Sequence, residues 1–213
     1  MTGTKVLIVD TQPLILGLTK DLLQSNGFEV RAASTVREAT SISKRFVPDV
    51  CVTDVELEPN ATGVELANSL RLHAPNLHLV FLTHLPNFRP LGIPKDAIPN
   101  RFAYLNRALM NDPKRLVHAI GAAGNAKALA AFRDDKLEHS ELASVSRIQL
   151  EVLRLVALGF TNQEIANHRN VTLRAVEALL NRLATALNID AERGSNPRVK
   201  LARAFIREAG LPL

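Results

Sequence analysis

The sequence predicts a doubly wound, five-stranded parallel α/β sheet followed by an all-α helix-turn-helix domain. Three observations carry this. Short β-branched runs alternate with amphipathic helical runs over roughly the first half of the 213 residues, the pattern of a parallel sheet covered on both faces. Acids or a hydroxyl close three of those strands. Three helix starts then follow one another between Val145 and Ile189 at the spacing of a helix-turn-helix.

Lys5–Val9, Glu29–Ala32, Val50–Thr53, His78–Leu82 and Phe102–Leu105 read as strands. Between them, Pro13–Gln24, Val36–Phe46 and Gly63–His73 have helical spacing, with capping boxes at Thr35/Glu38 and Thr62/Glu65. Asp112 followed by Pro113 opens a further helix that runs to about Ala123. Prolines 86, 90, 94 and 99 interrupt Leu85–Asn100, so a helix there is short or missing. The sheet domain is expected over residues 1–123 and a helical or extended linker over 124–144, in which "RDDK" reads as a solvated helix face. The helix-turn-helix domain then occupies 145–213.

In that last domain Ser146, Thr161 and Thr172 are N-caps. Gln149 and Glu164 complete capping boxes with the first two, and Val145/Leu150, Phe160/Ile165 and Val171/Val176 form hydrophobic staples. Asn167–Val171 is a tight turn, and Ala166 lets the second and third helices approach closely. Helix Thr172–Leu187 is placed to read a nucleic-acid groove. After Ile189 a polar turn leads to an apolar-periodic helix, Pro197–Ala209. It serves either as a dimer seam through Val199, Phe205 and Ile206 or as packing against the domain's own first helix.

Composition narrows the function classes. The net charge is +5 and the pI near 9.7, which suits a polyanion partner without requiring one. No apolar run approaches a membrane span, and the N-terminus begins a strand instead of a secretory signal, so a cytoplasmic location is expected. The single Cys51 lies in a buried strand. The six histidines lack metal-ligand spacing, and no P-loop or G-x-S-x-G string occurs. An enzyme is not expected; a hydrolase built on Asp54 would want further acids and a cap.

In an open parallel sheet, ligands bind beyond the carboxyl ends of the strands. Asp10, Asp54 and Thr83 stand there, with Arg107 just past the fifth strand, a set suited to Mg²⁺ and a phosphoryl group. "VLIVDTQPLILGL", "PDVCVTDVELEPNATGVELANSLR", "VFLT" and "AYLNR" together resemble the receiver domain of response regulators. "RIQLEVLRLVALGFTNQEIANHRNVTLRAVEALLNRLATALNI" resembles the LuxR-type helix-turn-helix of the NarL/FixJ family. The resemblance implies that Asp54 is the phospho-acceptor and that Asp10, Asp54 and the Glu56 backbone carbonyl hold Mg²⁺. It further implies that Thr83 turns toward the phosphoryl group and that the Tyr104 rotamer reports activation. A sensor kinase, duplex DNA and a second copy of the chain are the implied partners.

Several positions depart from the family pattern. Thr11 replaces an acid that ligates the metal, and Arg107 replaces a lysine, so Mg²⁺ is expected to be weakly held or absent. Ala175, Glu177 and Leu179 stand where the family has Thr, Lys and His, and Arg169 replaces an apolar turn residue. Asn162, Arg174, Glu177, Asn181 and Arg182 are the candidate DNA contacts. The first reading is therefore a DNA-binding transcriptional regulator with an atypical receiver. The alternative is a pseudo-receiver interaction module that acts without phosphorylation and with little or no DNA binding.

Overall fold

Near-continuous apolar runs form strands that are buried on both faces, as a parallel sheet demands. The structure, a computed structural model, describes residues 3–58, 61–136, 142, 144–189 and 196–209. Linker residues 137–141 and 143, and most of the polar turn expected after Ile189 (190–195), lie outside the described residues. Strands β1 (Lys5–Val9), β2 (Glu29–Ala33), β3 (Val50–Thr53), β6 (His78–Thr83) and β7 (Phe102–Asn106) make one parallel sheet in the order β2-β1-β3-β6-β7. A two-stranded hairpin, β4 (Glu56–Glu58) with β5 (Ala61–Thr62), follows β3. The five expected sheet strands are all present.

Helices α1 (Pro13–Ser25), α2 (Val36–Phe46), α3 (Gly63–His73) and α4 (Lys114–Ala122) accompany the strands. Val6, Ile8, Val52, Val80 and Leu105 share one core cluster with Leu23, Leu116 and Ile120. Strand alternation sends Leu7, Cys51, Leu79 and Phe81 to the other face. Each such aliphatic side chain contributes about 1.5–3 kcal/mol on burial. The Thr62/Glu65 capping box is complete. At Thr35 only half of the expected box forms: Glu38 N donates to Thr35 Oγ1, whereas the Glu38 carboxylate accepts from Ser34 N. The Asp112 carboxylate caps α4 by accepting from Lys114 N.

The proline-rich crossover between β6 and β7 contains no α-helix. It holds only 3-10 turns at Arg89–Leu91 and Lys95–Ala97. Its two parts have different allegiances. The chain divides into one unit of Met1–His84 with Lys95–Lys136 and another of Leu85–Pro94 with Leu137–Leu213. The N-terminal unit thus runs past the expected boundary at 123.

The reason lies in the linker. A single turn, α5 (Ala126–Leu129), is capped by Asn125, and the chain then returns to the sheet edge. Tyr104 N donates to Phe132 O at 2.7 Å, and Tyr104 pairs with Arg133 in a parallel bridge. Asp134 accepts from Asn106 N at 2.9 Å and takes both guanidinium nitrogens of Arg115. The expected spacer is therefore a cover for edge strand β7, whose backbone groups would otherwise be open to pairing.

In the second unit, α6 (Arg147–Ala157) packs against α9 (Pro197–Ala209), and α7 (Asn162–Arg169) against α8 (Leu173–Ala186). Ser146 and Thr161 complete their capping boxes, and Thr172 accepts from Ala175 N. Asn170 ends α7 in the left-handed region at φ 51°, which an asparagine tolerates better than most side chains. Ala166 is buried where a larger side chain would hold α7 away from α8.

Candidate functional sites in the two units

The strand register gathers the acidic site. Val9 pairs with Thr53, and Thr53 pairs in turn with Phe81 of β6; Thr83 pairs with Asn106. Asp10, Asp54, Thr83 and Arg107 consequently meet at one end of the sheet, and the first three are buried. Gly63 helps set this geometry. Its amide donates to Val55 O, and a Cβ at this position would collide with the Asp54 carbonyl oxygen.

Arg107 occupies the middle of the pocket. Its Nη1 donates to Asp10 Oδ2 at 3.0 Å and its Nη2 to Asp54 Oδ2 at 2.7 Å. The remaining carboxylate oxygens accept from the backbone: Asp10 Oδ1 from Gln12 N, and Asp54 Oδ1 from Glu56 N. Burial pushes the Asp10 carboxyl above its ordinary range, against the opposing pull of the Gln12 amide and Arg107. His84 lies beside this network, with Nδ1 3.5 Å from Arg107 Nη2 and Nε2 3.8 Å from Glu56 Oε2.

Of the other expected members, Thr11 is exposed and brings no carboxylate. Tyr104 is completely buried and packs against Phe81, with ring centroids 6.3 Å apart. Burial, aided by the charges of Asp135, Asp54 and Asp134, raises its phenol well above the ordinary value of 10.0. Asp134, whose charge acts on Tyr104, is a residue that sequence reasoning misses. "RDDK" reads as a solvated helix face, and only the long-range return of the chain to β7 brings Asp134 to Asn106 N.

The helical unit presents α8 at its surface. Val176, Leu180 and Leu183 point inward, whereas Arg174, Ala175, Ala178, Arg182 and Thr185 are exposed; at 3.6 residues per turn these five share the outer half of the helix. Glu177 and Asn181 are exposed at its flank, where they line a cleft of about 390 Å³ with Asn162, Asn196 and Arg198. Arg198, at the start of α9, donates to Asn162 Oδ1 and Phe160 O. Asn162 is thereby engaged in holding α7 against α9. Arg169 forms an ion pair with Glu151 on α6, so a charged pair stands where an apolar turn residue is usual.

The expected dimer residues separate. Phe205 is 0% exposed inside the helical unit, where α9 packs against α6, in keeping with the intradomain alternative. Val199 is exposed and Ile206 half-buried.

A doubly wound sheet with paired acids at its carboxyl end is thus followed by a helix-turn-helix. The chain carries, over residues 6–87, a match to the family described as the response regulator receiver domain. It is similar to the response regulator protein VraR of Staphylococcus aureus, with 22% identity covering 87% of this chain and 90% of that protein. It is also similar to the uncharacterized transcriptional regulatory protein YxjL of Bacillus subtilis, with 26% identity covering 86% and 89%. Among solved structures it shares its fold with RcsB from Salmonella enterica serovar Typhimurium bound to a promoter in the presence of phosphomimetic BeF3-. That match has a TM-score of 0.62 at 19% identity and covers 95% of this chain and 98% of that one. No described helix is long and apolar enough to cross a membrane.

Proposed function

We propose that the chain is a cytoplasmic, DNA-binding transcriptional regulator whose receiver pocket is governed by the Arg107 guanidinium in place of a tightly held Mg²⁺. The observation that carries the DNA reading is the outer face of α8. Two arginines there flank Ala175 and Ala178, small side chains that let a phosphate backbone come close. VraR and YxjL are named as regulators, and RcsB is described bound to promoter DNA, in keeping with this reading.

The pocket does not fit a divalent cation well. Mg²⁺ takes several oxygen ligands in octahedral geometry, yet each carboxylate oxygen of Asp10 and Asp54 already accepts a hydrogen bond. Among the described residues no group of three His, Cys, Asp or Glu side chains is placed to hold a metal. The guanidinium instead supplies the positive charge that two adjacent buried carboxylates need. Asp54 is the residue suited to phosphorylation by a sensor kinase. Transfer to Asp54 Oδ2 requires Arg107 to withdraw from that oxygen. A homodimer on DNA would use a surface other than Phe205, with Val199 available.

A salt-titrated binding assay against random and promoter-proximal duplexes tests this. Wild type should bind with a negative slope of log K on log salt, and Arg174→Gln or Arg182→Gln should reduce the slope by about one unit if that residue meets a phosphate. If a residue reads a base, its loss should cost about 1–3 kcal/mol at one sequence position. Absence of salt-dependent binding to every duplex refutes the DNA reading and leaves the pseudo-receiver interaction module.

A further inference from the structure

We infer that Glu177 is the base-discriminating residue of α8: its carboxylate accepts from the exocyclic amino group of a cytosine in the major groove and repels duplexes that offer none there. The inference rests on the DNA reading above and adds to it the chemistry by which one base pair is chosen. Arg174, Glu177 and Asn181 are all exposed. They recur at i, i+3 and i+7, so they line one edge of the helix on consecutive turns. With a rise of about 1.5 Å per residue, their steps are about 4.5 and 6 Å. The duplex advances by only about 3.4 Å per base pair, so each side chain reaches a different pair. The edge thus offers a cation, an acceptor and an amide in turn, the partners of guanine, cytosine and adenine edges.

The helical unit itself has no use for a carboxylate at this position. Among the described residues no cation forms an ion pair with Glu177. Arg198 lines the same cleft but donates to Asn162 Oδ1 and Phe160 O. Leu173 and Asn181 stand four positions either side, so no i,i+4 charge pair supports the helix. Thr172 is the N-cap, which puts Glu177 beyond the first turn, where the helix dipole has faded. On a face that meets a polyanion, an unpaired carboxylate lowers affinity for every duplex alike. That loss is recovered only where the groove presents a donor, and cytosine N4 is the donor that a carboxylate reads. The same group therefore penalises random DNA and rewards one base pair. Specificity rises by rejection of the wrong partner as much as by attraction of the right one.

Enrichment from a randomised duplex library, followed by titration of the best duplex and its single-pair variants, tests this on the full-length protein. Wild type should hold one position as C·G. Glu177→Gln keeps the shape but carries an amide, which pairs bidentately with adenine. It should move the preference at that position to A·T and leave the other positions unchanged. Glu177→Ala should relax that position alone by about fivefold or more. It should also bind a random-sequence duplex at least about threefold more tightly at the same salt. Both variants should unfold at the wild-type temperature, since the side chain is exposed. The inference is overturned if Glu177→Gln leaves every position as in wild type, or if preference relaxes at several positions together. It is equally overturned if Glu177→Ala binds random duplex no more tightly, or if both variants lose thermal stability, which would mark the residue as structural. Enrichment by wild type without these changes sinks this inference alone, whereas absence of salt-dependent binding to any duplex sinks the DNA reading with it.

Discussion

Gly63 approaches Asp54 so closely that the Asp54 carbonyl oxygen occupies the space where any larger residue would place its Cβ. The first turn of α3 and the end of β3 are thereby locked together, and the Asp54 side chain inherits its position from that contact. Gly63→Ala forces backbone apart in a packed interior. We expect a loss of about 1–3 kcal/mol, in the range of overpacked cores, read from the denaturant midpoint. An unchanged midpoint would mean that α3 is free to slide.

Arg107 sets the chemistry of the pocket. Labelling of Asp54 by small phosphodonors should be slow in the wild type, and Mg²⁺ should accelerate it little. Thr11→Asp combined with Arg107→Lys supplies a further carboxylate and a compact ammonium, and both labelling and its Mg²⁺ dependence should rise. Rapid Mg²⁺-dependent labelling of the unmodified protein would show that the guanidinium leaves the site readily.

Phe205 and Val199 make opposite predictions. Phe205→Glu buries an unpaired carboxylate between α6 and α9, which should cost about 3 kcal/mol or more and melt the helical unit. Val199→Glu places its charge at the surface, leaves thermal unfolding unchanged and weakens self-association if this face meets a second copy. Sedimentation combined with circular dichroism separates the cases. A folded, monomeric Phe205→Glu protein would reinstate Phe205 as a seam.

Burial pushes the Cys51 thiol from its ordinary 9.0 up to about 12. The unfolded chain loses this proton near 9.0 while the folded one retains it, so the contribution to stability is whole below 9.0 and disappears as pH rises to about 12. A rise of that size corresponds to roughly 4 kcal/mol at the alkaline limit. Cys51→Ala should therefore flatten the alkaline part of the stability curve, and native wild type should resist thiol reagents at neutral pH. Fast modification of the folded protein would contradict the burial.

The legible parts of this molecule are those whose signals are local. Ser146, Thr161, Thr172 and Thr62 announce helix starts within a single turn, and the short β-branched runs locate all five strands of the parallel sheet. Asp10, Asp54, Thr83 and Arg107 can be named because strand ends converge in a parallel sheet. The bridge from Arg107 to both carboxylates is not legible, since a guanidinium's reach is a matter of three-dimensional approach between residues far apart in the chain. The periodicity of α9 shows that Phe205 sits on an apolar face without saying what covers it. Prolines 86, 90, 94 and 99 foretell the missing helix. No neighbouring residue signals that the Arg89 guanidinium donates to the carbonyls of Leu142 and Val145, or that Asp134 returns to β7.

The allegiance of residues 85–94 also bears on inheritance. A helical unit assembled from two separate stretches of sequence cannot be passed between proteins as one contiguous cassette. A cut after Lys136 would strand Arg89 and Pro90 with the wrong piece and leave the Leu142 and Val145 carbonyls without their guanidinium donor. Recombination that keeps both units whole must carry the crossover along with the tail. An exchange that transfers only the stretch after Lys136 therefore yields an incomplete helical unit.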